Sequence, residues 1–370
     1  MVTVWQERKK RLVQYMNENG IEASLITSPM NVYYFTGFYT DPHERFMALY
    51  VEADGGTETL FVPLLELQAA EENGHVRETA AVSDVDDPYA LLRSRIGRPA
   101  KTVGIEKNAV SVRQGELLAE TFDGCLFADL EPFVLSLRMN KSEEEIGKVQ
   151  HAVHIVERVI EYAAQTAVAG MTEAELTAEL EFQMRKLGAD RPAFESIVLT
   201  GPRTALPHGK PGGAAIREGD FVLIDIGVQA GGYCSDITRT FLMGEGTQAQ
   251  VRLYETVLAA NEAGIRAAKA GAMLADVDKA ARDVIEQAGY GPLFTHRVGH
   301  GFGMEVHEQP SVSGQNRRII EPGLLFTIEP GIYDPVLGGV RIEDDVYIQQ
   351  DGSARVLTSY PKQLIRLGRK

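Results

Sequence analysis

One stretch in the second half of the chain, residues 223–240, limits the fold more than any other, because it places two ionisable carboxylates in what otherwise reads as buried β-structure. Two runs of apolar and β-branched residues flank adjacent glycines, a pattern typical of a hairpin. With Ala230 and Gly231 as the central turn residues, Asp225 would face Asp236 directly across the two strands. Like charges at that distance, about 4.5–5.5 Å between Cβ atoms, repel unless a cation lies between them. Since hard divalent metals prefer such oxygen ligands, the hairpin predicts a metal site.

The composition favours a folded protein of two domains. The chain has 370 residues, of which 44% are hydrophobic and 24% are charged. A net charge of −15 without a long Lys/Arg run argues against nucleic acid as a partner. The only cysteines, Cys125 and Cys234, have no CxxC spacing, so neither a disulfide framework nor a thiolate zinc site is indicated. No apolar run of about 18 residues and no signal-like start occur, so we expect a cytoplasmic protein without a membrane partner.

The order of predicted elements divides the chain near residue 139. Alternating helices and strands over residues 1–138 predict an α/β domain. A capping box formed by Ser142 and Glu145 opens the second domain, residues 139–370, with a helix to about residue 169. In the first domain we expect strands over 23–28, 46–51, 58–62, 102–105 and 125–128, and helices over 7–19, 64–73 and 111–121.

Two segments of the first domain stand out. The aromatic run from Asn31 to Phe38 is the most distinctive, and packing is its ordinary role. Asp41, His43 and Arg45 form a polar cluster in the next loop. A lone loop histidine is usually solvated, so a functional role for His43 is the less favoured interpretation.

The second domain repeats itself. Glycines on both sides of a short helix recur at an offset of 101 residues: they are Gly170, Gly188, Gly271 and Gly289. The strand that ends in Asp225 is echoed by one that ends in Glu329, and a partner acid follows at Glu343. Each half therefore offers a hairpin with two carboxylates. We predict an α+β domain with an internal pseudo-twofold duplication and a site where the halves meet.

Four buried carboxylates cannot share one site while ionised unless about two divalent cations neutralise them. The four are Asp225, Asp236, Glu329 and Glu343. A nitrogen ligand is available in the segment from His296 to Pro310, which holds three of the eight histidines; His208 lies further upstream. Glycines in this segment argue against an HExxH helix, and we expect them to let the backbone pass close to a ligand or metal. They are Gly299, Gly301 and Gly303.

Five of these residues, within the motifs IDIG, SDITRTF, GHGFGMEVHEQP, TIEPGIY and VRIEDD, resemble the metal ligands of the pita-bread metallopeptidases. They are Asp225, Asp236, His300, Glu329 and Glu343. The further His296, His307 and Arg341 resemble the Xaa-Pro branch, which contains prolidase and aminopeptidase P. The resemblance covers residues 142–360 well, and residues 1–138 resemble the creatinase-type N-terminal domain of that branch more loosely.

The resemblance implies a hydrolase that cleaves the Xaa-Pro bond of dipeptides with a hydroxide bridging two divalent metals. Glu329 would also be the proton shuttle, and three histidines would hold the substrate and stabilise the oxyanion. These are His208, His296 and His307. Arg341 would pair with a metal-site carboxylate, orient His307 or touch the substrate. Four acids to one histidine favour Mn²⁺, with Co²⁺ or Zn²⁺ as alternatives. A homodimer is also implied.

Substrate length is left open by the sequence. Some prolidases carry an arginine immediately after HExP, suited to a dipeptide carboxylate, whereas this chain has Ser311. Arg317 and Arg318 in the following loop are the substitutes that the sequence offers. The compact length and the short 329–343 turn favour a dipeptidase over an Xaa-Pro aminopeptidase on longer peptides. A metal-independent creatinase-like hydrolase and a catalytically silent binding protein are remote alternatives, because all five ligands are present.

Overall fold

The computed structural model describes residues 3–97 and 99–368. Contacts between Cα atoms divide the chain into two units, Met1–Leu137 and Arg138–Lys370, and the predicted boundary lies one residue later. Among the helices of the described residues, none combines the length and apolar character needed to cross a membrane.

The first unit is built on one six-stranded sheet. Its helices are α1 (Val4–Glu18), α2 (Pro29–Thr36), α3 (Leu67–Asn73), α4 (Pro88–Arg95), α5 (Val112–Thr121) and α6 (Glu131–Met139). Its strands are β1 (Ala23–Ile26), β2 (Ala48–Glu52), β3 (Glu58–Pro63), β4 (Glu78–Val82), β5 (Thr102–Ile105) and β6 (Leu126–Asp129). The strand order is β4-β3-β2-β1-β5-β6, with β1 antiparallel to β2 and parallel to β5. The mixed sheet with interspersed helices confirms the predicted α/β class.

Local capping explains where the first unit departs from prediction. Helix α1 begins earlier than expected because Thr3 forms a capping box with Gln6. Strand β1 ends before Ser28, which is the N-cap residue of α2. The aromatic segment therefore forms a helix, and its Val32 and Phe35 are fully buried, so the packing role is confirmed. The His43 side chain is 70% exposed, with Nδ1 3.5 Å from Asp41, as a solvated loop histidine should be.

Within residues 138–368, the second unit contains two pairs of α-helices and four sheets. Its helices are α7 (Glu143–Thr166), α8 (Glu173–Lys186), α9 (Gln248–Ala267) and α10 (Leu274–Gln287). Its first strands are β7 (Arg191–Pro192), β8 (Ile197–Thr200), β9 (Phe221–Ile226), β10 (Val228–Ala230), β11 (Tyr233–Cys234) and β12 (Ile237–Met243). The others are β13 (Gly299–Gly301), β14 (Glu308–Val312), β15 (Leu325–Ile328), β16 (Gly331–Asp334), β17 (Gly338–Arg341), β18 (Asp344–Ile348), β19 (Ala354–Val356) and β20 (Arg366–Leu367). The larger sheets have the orders β20-β12-β9-β8 and β14-β13-β15-β18-β19, and the smaller ones β11-β10-β7 and β16-β17.

The two halves of this unit repeat one another in detail. Apolar residues of α7 and α8 form one core with β9 and β12, and those of α9 and α10 form another with β15 and β18. The backbone N–H of Gly170 donates to Ile216 at 2.8 Å, and that of Gly271 donates to Ile320 at 3.0 Å. The predicted duplication is therefore confirmed. Helix α7 follows its predicted Ser142 capping box and ends at Thr166, slightly earlier than predicted.

The register of the first hairpin differs from the prediction. The turn lies at Gly231 and Gly232, one residue later than expected, because both have positive φ (58° and 80°), as a two-residue type I′ turn requires. Asp225 therefore pairs with Thr238, and the prediction that it directly faces Asp236 is wrong. A shift of two residues keeps each side chain on its face of the sheet. Asp236 thus takes the diagonal position, about 7–8 Å away in a regular sheet.

The glycines around His300 serve the sheet. A Cβ added at Gly299 would lie 2.0 Å from the carbonyl oxygen of Thr327, and one at Gly301 would lie 2.1 Å from that of Gln309. The expectation that these two glycines make room for a ligand is therefore wrong. They let β13 lie close to the backbone of its neighbours, and this close packing fixes the position of His300.

Candidate active site

The hairpins of the two halves meet at a cavity of about 730 Å³ in the second unit. All nine residues that the sequence singled out line it, although they are spread over more than 130 positions. They are Asp225, Asp236, His300, Glu329 and Glu343, with His208, His296, His307 and Arg341. Ser311, Arg317 and Arg318 do not line this cavity.

The carboxylates enter the cavity from both hairpins and are only partly satisfied. Oδ1 of Asp225 and Oδ1 of Asp236 are buried and have no hydrogen-bond partner among residues 3–97 and 99–368. Thr238 Oγ1 donates to Glu343 Oε2 at 2.7 Å, which joins the first hairpin to the second. A buried carboxylate oxygen without a donor is costly, so these oxygens indicate a missing positive partner.

His300 supplies a nitrogen to the same place. Its Nδ1 lies 3.1 Å from the carbonyl oxygen of Gly301, so Nδ1 carries the proton and Nε2 keeps its lone pair. Nε2 lies 3.4 Å from Glu329 Oε1 and 3.8 Å from Asp236 Oδ2. One ligand atom each from Asp236, His300 and Glu343 lie within 4.8 Å of one another. Atoms at this spacing could coordinate one metal ion together.

The electrostatics of the cavity favour a bound cation. Burial raises the pKa of Glu329 to about 8, against the opposing charge of Arg341. Burial also raises the pKa of Asp236 and that of Glu343 well above their ordinary range, and the negative charges of the neighbouring carboxylates raise them further. For His300, burial lowers the pKa to about 3, which keeps the imidazole neutral, the form that binds metals.

The residues present fit divalent metal ions. Oxygen-rich groups with one imidazole suit hard or borderline cations, and a cation between these hairpins would partner the two orphaned aspartate oxygens. We conclude that the carboxylates and His300 could hold metal, and that three further histidines line the same cavity.

A hydrogen-bonded chain leads away from the carboxylates through Arg341. Its Nη2 donates to Asp225 Oδ2, its Nε donates to Thr238 Oγ1 at 3.1 Å, and its Nη1 donates to the hydroxyl of Tyr333 at 2.8 Å. Of the three roles expected for Arg341, the structure shows the pairing with the carboxylate of Asp225, and the metal-binding role of that carboxylate stays a prediction.

His296 ends this chain. Its Nδ1 lies 2.7 Å from the carbonyl oxygen of Arg297, so Nδ1 donates, and Nε2 accepts from the hydroxyl of Tyr333 at 2.8 Å. Burial lowers the pKa of His296 to about 4, so the ring is neutral near pH 7. His208 and His307 are exposed residues of the cavity wall, and the His307 ring centroid lies 4.3 Å from that of His300.

Four further residues of the site were missed by sequence reasoning. Thr238 binds both Arg341 and Glu343; Asp345 Oδ2 accepts the backbone N–H of Asp236 at 3.2 Å. Tyr333 and Arg297 line the cavity. Tyr333 lies within the TIEPGIY motif and Arg297 directly follows His296. Their place next to residues already singled out was the sequence signal that could have identified them. Nothing in the sequence shows which neighbours these side chains contact.

Fold and site together define a metallohydrolase with a duplicated catalytic domain. Residues 147–350 match the model of metallopeptidase family M24, and residues 8–140 match that of the creatinase/prolidase N-terminal domain. The chain belongs to metallopeptidase family M24.

Known proteins are similar over nearly the whole chain. YkvY of Bacillus subtilis strain 168 is 40% identical over 364 residues, covering 97% of this chain and 99% of that protein. A solved Xaa-Pro dipeptidase from Bacillus anthracis is 32% identical with a TM-score of 0.91, covering 98% of this chain and 100% of that one. A solved X-Pro aminopeptidase from Thermotoga maritima MSB8 is 34% identical with a TM-score of 0.88, covering 97% and 99%. These similarities confirm the predicted pita-bread fold and metallopeptidase class.

Proposed function

We propose that this protein is an Xaa-Pro dipeptidase, a prolidase-like hydrolase that uses two divalent metal ions. The observation that carries the proposal is the pair of orphaned, buried oxygens of Asp225 and Asp236 beside the ligand group of Asp236, His300 and Glu343. The similarity to the Xaa-Pro dipeptidase from Bacillus anthracis supports the substrate class.

The metal ligands proposed are Asp225, Asp236, His300, Glu329 and Glu343. Divalent cations bound there would supply Lewis-acid activation of the scissile carbonyl and of the attacking water. Mn²⁺ is the ion that best suits four carboxylates and one imidazole, with Co²⁺ or Zn²⁺ as alternatives. Arg341 donates a hydrogen bond to Oδ2 of Asp225, which leaves Oδ1 of this carboxylate for a metal ion.

Glu329 moves the proton of the reaction. It takes a proton from the water whose oxygen attacks the carbonyl carbon, and it returns that proton to the proline nitrogen as the C–N bond breaks. The products are a free amino acid and proline. This role needs a carboxyl group at the junction of the cavity and the ligand group, and the Glu329 side chain lies 3.4 Å from His300.

The remaining histidines bind the substrate. His208 and His307 are the exposed pair, available to hydrogen-bond the backbone of the dipeptide and the oxygen that gains negative charge. His296 is part of the wall beside them and also fixes the hydroxyl of Tyr333. Because Arg341 donates to the same hydroxyl, we assign Tyr333 to the positioning of both residues.

An Xaa-Pro aminopeptidase acting on longer peptides is the second candidate. The X-Pro aminopeptidase from Thermotoga maritima is as similar to this chain as the dipeptidase is, so overall similarity does not separate the two activities. The homodimer and the cytoplasmic location expected from the sequence stay predictions.

A substrate-length series tests the proposal. Protein supplied with Mn²⁺ is assayed on Ala-Pro, Ala-Pro-Ala and the control Ala-Ala. We expect hydrolysis of Ala-Pro above both others. Faster cleavage of Ala-Pro-Ala would favour the aminopeptidase, and turnover of none of the three would refute the peptidase proposal. Full activity after thorough chelation would favour the creatinase-like mechanism.

A further inference from the structure

Arg297 places a guanidinium in the cavity wall without a salt bridge to an acid of the described residues. The residue is exposed and lines the cavity. Its Nη1 lies 3.4 Å from the hydroxyl oxygen of Ser311, and within residues 3–97 and 99–368 it forms no ion pair. The other arginine of the cavity, Arg341, is buried and bound to Asp225. Arg297 is therefore the cavity arginine whose charge is available to a ligand.

The contact with Ser311 fixes where this charge lies. His300 of β13 and Ser311 of β14 are direct partners in an antiparallel pair. Directly opposed residues project to the same face, with Cβ atoms about 4.5–5.5 Å apart. The Arg297 guanidinium is thus held on the face of the sheet that presents His300 to the ligand group. An anionic group of a substrate that lies over His300 comes within reach of it.

The arginines that the sequence offered for this task lie elsewhere. Arg317 and Arg318 are exposed but do not line the cavity. Their loop is tied to the start of α10, where the backbone N–H of Leu274 donates to the carbonyl oxygen of Arg318 at 3.0 Å. The chain thus supplies a different arginine from the one expected at the substrate.

We propose that Arg297 receives the free carboxylate of the substrate and so restricts the enzyme to dipeptides, an inference that rests on the proposed Xaa-Pro hydrolysis. The carboxylate of an Xaa-Pro dipeptide lies only one residue, about 3.3–3.6 Å of chain, beyond the scissile bond. A guanidinium binds a carboxylate with two parallel hydrogen bonds, and a carboxamide cannot replace the charge. A longer peptide has no carboxylate at this place, and its extra residue would meet the arginine.

The test compares Ala-Pro with Ala-Pro-amide, which differ only in the terminal charge. We expect Arg297→Ser to lose about 10- to 100-fold in kcat/KM on Ala-Pro, mainly through KM, because a charge-assisted contact is lost. On the amide the same variant should stay within about threefold of wild type. Arg318→Ser removes a nearby positive charge outside the cavity and is the matched control, with both substrates unchanged.

Each outcome decides the assignment. A loss confined to Ala-Pro supports it, provided that metal content and thermal unfolding match the wild type. Equal losses on both substrates would show that Arg297 acts through the fold of its loop and would overturn it, as would no loss on either. Absence of Ala-Pro hydrolysis by the wild type would refute the proposed function and the assignment together, whereas an active wild type with an unaffected Arg297→Ser variant would refute the assignment alone.

Discussion

Two consecutive acids, Glu343 and Asp344, are buried to the same extent and have opposite electrostatic surroundings. Asp344 points to a side where Arg239 lies 2.9 Å away and Lys362 lies 2.8 Å away, and its pKa stays below the ordinary value despite burial. Glu343 points to the cavity, where its partner is the neutral hydroxyl of Thr238 and its pKa is raised by burial. Glu343 directly precedes β18 and Asp344 is its first residue, so two adjacent side chains on opposite sides of the backbone separate a proposed ligand acid from a structural one.

The charges around a buried carboxylate distinguish an acid that stabilises the fold from one that can bind a cation. A buried carboxylate with cations from its own chain contributes to the fold, because the paired charges compensate their desolvation. A buried carboxylate with only neutral or anionic neighbours destabilises the fold until a cation arrives. Asp236 is the extreme case, with one orphaned oxygen and Glu343 as an unfavourable neighbour.

Neutralising a cavity carboxylate that has no cationic partner in the chain should have the largest effect on activity. Asp236→Asn keeps the shape of the side chain and removes a proposed metal ligand, so we expect it to lose more than about 10³-fold in kcat/KM, since metal ions supply several kcal/mol to the transition state. Its metal-free form should unfold at a higher temperature than metal-free wild type, because repulsion is relieved. Calorimetry and elemental analysis on the same samples check both; retained metal with full activity would contradict the ligand assignment.

Neutralising a buried carboxylate that is paired with cations of the chain should instead destabilise the fold. In Asp344→Asn the buried guanidinium of Arg239 and the partly buried ammonium of Lys362 lose the carboxylate that they share, which costs about 3–5 kcal/mol of unfolding free energy. Denaturant unfolding of the metal-free protein measures this, with Asp236→Asn as the matched variant. Equal stability of Asp344→Asn and wild type would contradict the distinction between acids that are paired with cations and acids that are not.

A third buried acid tests the same rule through pH. Salt bridges to Lys141 and Arg138 hold the pKa of Glu308 at about 2, against its burial, below the ordinary 4.5. A lowered folded-state pKa stabilises the fold above pH 4.5, by about 3 kcal/mol, and this contribution is lost as the pH falls toward 2. The difference in unfolding free energy between wild type and Glu308→Gln should therefore shrink between pH 5 and pH 3. A constant difference over that range would contradict the account.

The smallest of these effects is expected at the substrate-facing wall. His296→Ala should keep its metal and lose about 10²-fold in kcat, because His296 contacts Tyr333 and the cavity and none of the carboxylates. Tyr333→Phe removes only the hydroxyl that His296 and Arg341 share; it is the control and should lose less. Metal loss in His296→Ala would overturn its assignment to the substrate.

Much of this architecture could be predicted because it depends on local signals. The capping boxes, the glycine offsets and the pairs of acids are all read along the chain, and the duplication follows from them. The predicted register of the first hairpin was wrong by two residues. The acids still lie on the predicted face of the sheet, because side chains alternate between the two faces with a period of two residues.

The rest depends on neighbours that are distant in sequence. Thr238 and Arg341 are 103 positions apart, and their contact exists only because the two halves pack face to face. Arg297 likewise contacts a residue that is distant in sequence, since its guanidinium lies against Ser311 of β14. Sequence reasoning could single out the proposed ligands by residue type, but it could not find the side chains that contact and orient them.

The central claim is that the cavity carboxylates and His300 bind the cations on which peptide hydrolysis depends. Its most direct test is to strip the protein with a chelator, titrate Mn²⁺ back and measure bound metal and Ala-Pro hydrolysis in the same samples. We expect up to two ions to bind per chain and activity to rise as they bind, and we expect Asp236→Asn to recover neither the metal nor the activity. Full hydrolysis by protein without metal would contradict it.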